Sequence, residues 1–137
     1  MQGFRKLHVW HSAHALTTAV YRATGEFPDT ERFGLTSQLR RAAASIGANL
    51  AEGCGRSSSL DTRRCFRIAL GSACELLNHL LLAHDLGLID RKSMTPLARQ
   101  AFLVRRALIR LLDSVSPAAT AARSAAENRR AARSAAK

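Results

Sequence analysis

The sequence predicts an all-α fold, arranged as an antiparallel up-down-up-down four-helix bundle with a disordered or frayed Ala/Arg-rich C-terminal tail. Its 137 residues are enough for one hydrophobic core. Leu and Ala dominate the apolar residues and only three residues are Pro, a composition that favours helix. Four segments repeat their apolar residues every three or four positions, and each is bounded by Gly, Pro or a capping residue. Four amphipathic helices with short connections are typical of such bundles.

The first two helices flank a connection that is rich in Gly and Pro. The first is predicted from about Arg5 to Thr24, because its apolar residues share one face until Pro28 breaks the pattern. The second is predicted over about 35–55, ending in two closely spaced glycines. In the connection between them, Phe27 and Phe33 are expected to pack against the bundle.

The third and fourth helices carry clear start signals. Ser58 or Ser59 is predicted to cap the third helix, which runs to about residue 86 and stops at Gly87. Asp90 or Ser93 is predicted to cap the fourth helix, which runs to about residue 115. The bundle domain is therefore predicted to span residues 1–117.

Residues 118–137 form a separate, low-complexity basic tail. The tail contains mostly Ala and Arg and has no large apolar residue, so it cannot bury a core face. We expect it to be disordered or a frayed, solvated helix.

The chain is strongly basic, with 21 Lys and Arg against 10 Asp and Glu. Such an excess favours association with polyanions through counterion release, and nucleic acid is the commonest polyanion. The alternative is that Arg and Ala are abundant only because the proteome comes from a genome of high GC content.

The three cysteines, the N-terminus and the apolar stretches bear on location. An odd number of cysteines without a C-x-x-C pair indicates reduced thiols and a cytoplasmic protein. No signal peptide is evident, and the apolar stretches are shorter than a membrane span, so no membrane partner is expected.

A line of polar residues follows one face of the second helix at steps of three or four residues. We interpret this line as a structural polar network at a tight crossing with the third helix, where Ser72 and its small neighbours offer a matching surface. Ser45, Asn49 and Glu52 are accordingly expected to be buried and paired. A binding or catalytic line is the less favoured alternative. The network residues are Gln38, Arg41, Ser45, Asn49 and Glu52.

Arginines of the second, third and fourth helices are candidate nucleic-acid-binding residues. They could contact phosphates, or they could form a solvated face. The stretch "GCGRSSS" leads into a helix N-terminus, where backbone N–H groups favour anions, but a simple glycine turn is the favoured interpretation. A nucleophilic role for its serines is disfavoured because no base or metal is placed beside them. The candidates are Arg56, Arg63, Arg64, Arg67, Arg99, Arg106 and Arg110.

Neither a metal site nor a cofactor is expected. His8, His11 and His14 repeat every third residue and therefore drift around the helix, so they do not converge without a further carboxylate or thiol. Cys65 and Cys74 face different ways on their helix and do not form a chelating pair.

Three stretches of the sequence carry a family resemblance over about Phe4 to Leu112. They are "FRKLHVW", "FPDTERFGLTSQLRRAAASIGANLAEGCGR" and "RIALGSACEL", with S-I-x-x-N-x-A-E-G and A-x-G-S-x-x-E as specific motifs. The chain resembles the four-helix-bundle family of proteins encoded in 23S rRNA intervening sequences, the S23 family. That family is similar to the accessory variability determinants of diversity-generating retroelements. The resemblance implies a homopentamer, with RNA or DNA and a reverse transcriptase as candidate partners, and it implies no enzymatic activity.

The sequence as a whole therefore predicts a non-enzymatic, oligomeric, basic scaffold that associates with nucleic acid, with a protein partner, or with both. The alternative is a structural assembly or protein-interaction partner with no nucleic-acid role.

Overall fold

The structure is a computed structural model that describes residues 3–136. Met1, Gln2 and Lys137, the last basic residue of the tail, lie outside the described residues. Within the described range every regular element is helical, which confirms the all-α prediction. Two short 3-10 turns cover Phe4–Lys6 and Asp29–Glu31. The α-helices are α1 (His8–Thr24), α2 (Leu35–Gly55), α3 (Ser59–Asp85), α4 (Arg91–Ser114) and α5 (Pro117–Ala135).

The helix starts of α3 and α4 are capped by side chains. Ser58 Oγ accepts a hydrogen bond from the Asp61 amide at 3.1 Å, so Ser58 rather than Ser59 is the cap of α3. Asp90 Oδ1 accepts from the Ser93 amide at 2.8 Å, so Asp90 is the cap of α4. This hydrogen bond from the backbone lowers the pKa of the Asp90 carboxyl, because it favours the ionised form.

The first helix begins three residues later than the sequence predicts. Leu7 has an extended backbone, with φ of −83° and ψ of 118°, and it separates the 3-10 turn from α1. The start predicted at about residue 5 is therefore placed too early, since residues 4–6 form the 3-10 turn. Its predicted end at Thr24 is confirmed.

Four of the helices enclose one hydrophobic core. α2 packs against α1 and α3, and α4 packs against the same two helices. The up-down-up-down order of these helices and the boundary of the bundle domain stay predictions. The largest fully buried side chains come from all four helices and are Leu16, Val20, Leu39, Ile46, Leu50, Phe66, Leu76, Leu80, Val104 and Leu108.

The connection between α1 and α2 buries only one of its two aromatic residues. Phe27 is buried, but Phe33 is 89% exposed, so the prediction for Phe33 is wrong. Glu31 Oε2 accepts a hydrogen bond from the Leu35 amide at 3.0 Å and thereby satisfies a backbone N–H at the start of α2. The side chain of Phe33 takes no part in this contact, and the Arg32 guanidinium lies 5.4 Å from its ring centroid.

The tail is helical in the structure, and none of the residues of α5 is buried. Its start is capped by Ser116, whose Oγ accepts from the Ala119 amide at 3.1 Å, and Pro117 occupies the first helical position. The expectation that this segment buries no core face is confirmed, and its disorder or fraying stays a prediction.

One helix, α3, is long and apolar enough to cross a membrane by length and composition. This corrects the expectation that every apolar stretch is too short. Helices that line a core pass the same test, and α3 contributes Phe66, Leu76 and Leu80 to the core.

Candidate nucleic-acid interface and the polar crossing of two helices

A chain of hydrogen bonds joins α2 to α3. The hydroxyls of Ser45 and Ser72 lie 2.8 Å apart, and Ser72 is buried. Asn49 Nδ2 donates to the Ser45 carbonyl oxygen at 2.8 Å and to Ser45 Oγ at 3.0 Å. The polar atoms at the crossing are thus satisfied by one another, which removes the cost of placing them between two helices.

The other members of the polar line lie outside this crossing. Gln38 and Arg41 are exposed. Glu52 is exposed rather than buried as expected, and its carboxylate accepts a hydrogen bond from Arg56 one turn later. The same hydrogen bond raises the pKa of the Arg56 guanidinium. Ser45 and Asn49 are half-buried rather than buried, because α3 contacts the line only where Ser45 meets Ser72.

The close approach of α2 and α3 depends on Gly53. A Cβ at Gly53 would lie 2.7 Å from Cε1 of Phe66, and Thr62 Oγ1 donates to the Gly53 carbonyl at 3.0 Å. Gly47 faces Trp10 of α1 instead, and Gly71 is exposed with nothing near its missing Cβ.

The glycine and serine segment before α3 ends one helix and begins the next. Ser58 already accepts from the backbone at the N-terminus of α3, and Asp61 places a negative charge in its first turn. Arg56 pairs with Glu52, and Arg63 is half-buried. Arg64 and Arg67 are exposed on the following turns, together with Arg106 and Arg110 of α4.

Arg99 lies beside an apolar groove. The length of the third and fourth helices predicts that some of their leucines stay uncovered, but the sequence did not specify this groove or Phe102 in it. The groove lies between α3 and α4, has a volume of about 450 Å³ and is lined by Leu77, Leu81, Met94 and Phe102 as well as Arg99. Phe102 is 51% exposed. The available signal was that residues 102 and 103 follow Arg99 by three and four positions, which puts them on the arginine side of the helix.

Two of the three histidines of α1 contact the indole of Trp10. The His14 ring stacks on Trp10 with ring centroids 4.9 Å apart, and His11 meets the same indole edge-on at 5.1 Å. His11 Nε2 lies 2.7 Å from the Arg5 carbonyl oxygen. Within residues 3–136, no group of three His, Cys, Asp or Glu side chains is placed to hold a metal ion.

The three cysteines are free thiols in different environments. Cys65 is buried, Cys54 is half-buried and Cys74 is exposed. Burial raises the pKa of the Cys54 thiol, which lowers the fraction of the reactive thiolate.

Fold and surface together define a basic, all-α protein built around a helical bundle. The family described as 23S rRNA-intervening sequence protein matches residues 5–110 of the chain. The chain belongs to this family.

The fold is shared with a solved structure. It is a protein of unknown function from the S23 ribosomal protein family of Bacteroides thetaiotaomicron, and it is 22% identical with a TM-score of 0.69. The alignment covers 76% of this chain and 97% of that one. No curated protein matches the sequence.

Proposed function

We propose that the protein is a non-enzymatic, cytoplasmic scaffold that assembles into a homopentamer and associates with nucleic acid, with a protein partner such as a reverse transcriptase, or with both. Each subunit contributes an up-down-up-down bundle. The observation that carries the proposal is the exposed apolar groove between α3 and α4 on a chain of net charge +11.

The groove supports the assembly. Leu81 is 56% exposed, Phe102 is 51% exposed and Leu103 is 55% exposed on neighbouring parts of the same surface. Contiguous apolar residues of this size mark protein interfaces, and a ring covers the same patch on every subunit. The number five comes from the resemblance to the accessory variability determinants.

The charge supports the nucleic-acid partner. Arg64, Arg67, Arg106 and Arg110 are exposed, and a ring repeats them on every subunit. Repetition turns weak phosphate contacts into a strong total attraction. Together with Arg99 these four arginines form what we call the basic surface. Arg99 also lines the groove, so we assign it to the rim of the subunit interface as well.

Light scattering tests the assembly. The unmodified chain should give a mass near five subunits, and the double variant L81E/F102E should give monomers, because it places carboxylates in the apolar groove. The matched control is F33E, which changes another exposed aromatic residue outside the groove. A monomeric unmodified chain contradicts the assembly.

Fluorescence anisotropy with RNA and DNA tests the nucleic-acid partner. Binding should be tolerant of sequence and should weaken steeply with salt, because phosphates are the main contacts. A variant with Gln in place of six arginines of the bundle measures how much of the binding affinity the bundle contributes. The six positions are 63, 64, 67, 99, 106 and 110. If the unmodified chain binds neither nucleic acid at low salt, the alternative of a structural assembly partner replaces this proposal. A reverse transcriptase gene or a ribosomal RNA gene beside the coding sequence would identify the partner.

A further inference from the structure

The arginines of α5 lie on one face of the helix. At 3.6 residues per turn, the four arginines of α5 fall within an arc of about 120°. Glu127 lies about 40° beyond the edge of this arc that Arg123 forms. The opposite face carries only small or neutral side chains, among them Ala121, Asn128 and Ala132. The four arginines are Arg123, Arg129, Arg130 and Arg133.

The helix presents this face without a covering element. Every residue from Thr120 to Ala136 is exposed, and α4 is the element that α5 contacts. The salt bridges found among residues 3–136 join Arg56 to Glu52 and His79 to Glu75, so they involve no arginine of α5. α5 also lies beyond residues 5–110, the part of the chain that the family match covers.

The composition of α5 lets it form a helix while it lies on the surface. Ala and Arg have the highest helix propensities, and the Ser116 cap with Pro117 at the first position fixes the start. In the structure the arginine face therefore extends about 15 Å along the helix, from Arg123 to Arg133.

We infer that α5 binds the phosphate backbone of a nucleic acid along this arginine face. The inference rests on the proposed association with nucleic acid and assigns its main contact to α5. Arginine matches phosphate oxygens by forked hydrogen bonds as well as by charge. The arginine face carries no Asn or Gln that could read a base edge, since Asn128 lies on the opposite face, so binding is independent of sequence.

The same composition argues against an anionic membrane as the occupant. Helices that lie in a membrane surface bury Trp, Phe or Leu on the face opposite their basic residues. α5 has none of these residues, and its uncharged face is made of Ala, Ser, Thr and Asn.

The test compares three full-length variants with the unmodified chain in fluorescence anisotropy on duplex DNA and duplex RNA. The first replaces Arg123, Arg129, Arg130 and Arg133 with Gln. The second carries four substitutions, R129A, A132R, R133A and A135R. It keeps the net charge but distributes the arginines around the helix. The third replaces Arg22, Arg32, Arg91 and Lys92 with Gln and so removes the same charge elsewhere. Circular dichroism verifies that each variant keeps its helix.

The first variant should lose about 0.9 units of salt slope per arginine on duplex DNA. Between about 50 and about 200 mM salt, the affinity of the unmodified chain should therefore fall about 100-fold more than that of the variant. The second variant should lose most of the same slope. The third should stay close to the unmodified chain.

Four outcomes overturn the inference in distinguishable ways. If the first variant binds like the unmodified chain, α5 is not the contact, and the proposed function stands on the bundle. If the second variant binds like the unmodified chain, the affinity depends on net charge and not on the arrangement of the arginines on one face. If anionic phospholipid vesicles or polyglutamate bind the chain as tightly as nucleic acid, the ligand class is wrong. If the unmodified chain binds no nucleic acid, the proposed partner and this inference fail together.

Discussion

At the scale of residues, the hydrogen bond between the Ser45 and Ser72 hydroxyls requires both side chains. They lie 2.8 Å apart at the crossing of α2 and α3, and Asn49 donates to the same Ser45 oxygen. Two residues of one hydrogen-bond network are energetically coupled, because once one partner has been removed, the second substitution has less hydrogen-bond energy left to remove.

Urea unfolding of S45A, S72A and the double variant, at one fixed protein concentration, should reveal this coupling. Each single substitution should lower the free energy of unfolding by about 1 kcal/mol, because it removes a partly buried hydrogen bond. The double variant should lose about 0.5–1 kcal/mol less than the sum of the two singles. S45A combined with S12A on the exposed face of α1 is the control and should be additive. Additivity of S45A and S72A would contradict the network.

Two glycines inside helices should respond to alanine with opposite signs. In G53A the new methyl would lie 2.7 Å from Cε1 of the fully buried Phe66, so we expect a loss of about 1–3 kcal/mol from overpacking. In G71A nothing lies near the new methyl, so the higher helix propensity of Ala should add about 0.5–1 kcal/mol. Thermal unfolding measures both variants. Equal shifts for both would show that Gly53 is not the point of close approach.

Spacing along α2 could predict that Ser45 and Asn49 share a face, but not how far α3 covers that face. The hydrogen bonds of these two residues follow from positions four apart meeting on a helix. Glu52 continues the same line yet is exposed, because coverage depends on the crossing of two helices and not on the period of one. The Phe33 error has a similar origin, since the backbone of a short connection decides which of two aromatic residues is buried.

At the scale of elements, the helix ends were the most predictable feature of the fold. Ser58 and Asp90 were each one of two predicted caps, and each accepts a hydrogen bond from the backbone amide three residues later. Caps can be predicted from the sequence because they depend on the chemistry of a few neighbouring residues. The start of α1 was not readable, because no Ser, Thr, Asp or Asn precedes it and the extended Leu7 sets it instead. The apolar groove depends on two helices lying side by side, which no single helical pattern contains.

The Asp90 cap should make the stability of α4 depend on pH. The hydrogen bond from Ser93 lowers the pKa of Asp90 in the folded state, below its unfolded value of about 3.9. The carboxylate therefore stabilises the fold above that unfolded value, and this contribution is lost as the pH falls through the lowered folded pKa. D90N should accordingly show a smaller drop in Tm between about pH 7 and about pH 3 than the unmodified chain.

The matched control for this cap is S58A at the start of α3. Ser58 makes the equivalent hydrogen bond without a titrating group, so S58A should lower the Tm by the same amount at both pH values. A D90N profile parallel to that of the unmodified chain would show that the Asp90 charge does not contribute to the cap.

At the scale of the whole molecule, the apolar groove and the basic surface meet at Arg99. A protein with exposed Leu81, Phe102 and Leu103 would aggregate or assemble, and its charge of +11 works against unordered aggregation. The closed ring that we propose would resolve this conflict, because it would cover the apolar groove and leave Arg64 and Arg67 outside the groove.

Assembly of this kind should make the thermal stability depend on protein concentration. Each subunit that joins the ring is stabilised by mass action, so the Tm should rise between about 1 and about 100 µM protein. L81E/F102E should abolish this rise, because the groove then carries two carboxylates that the partner subunit cannot solvate. F33E should keep the rise, since Phe33 is 89% exposed and does not line the groove. Scanning calorimetry over this concentration range measures the Tm of all three chains. If the Tm of the unmodified chain stays constant, the groove does not bind a second copy of the chain.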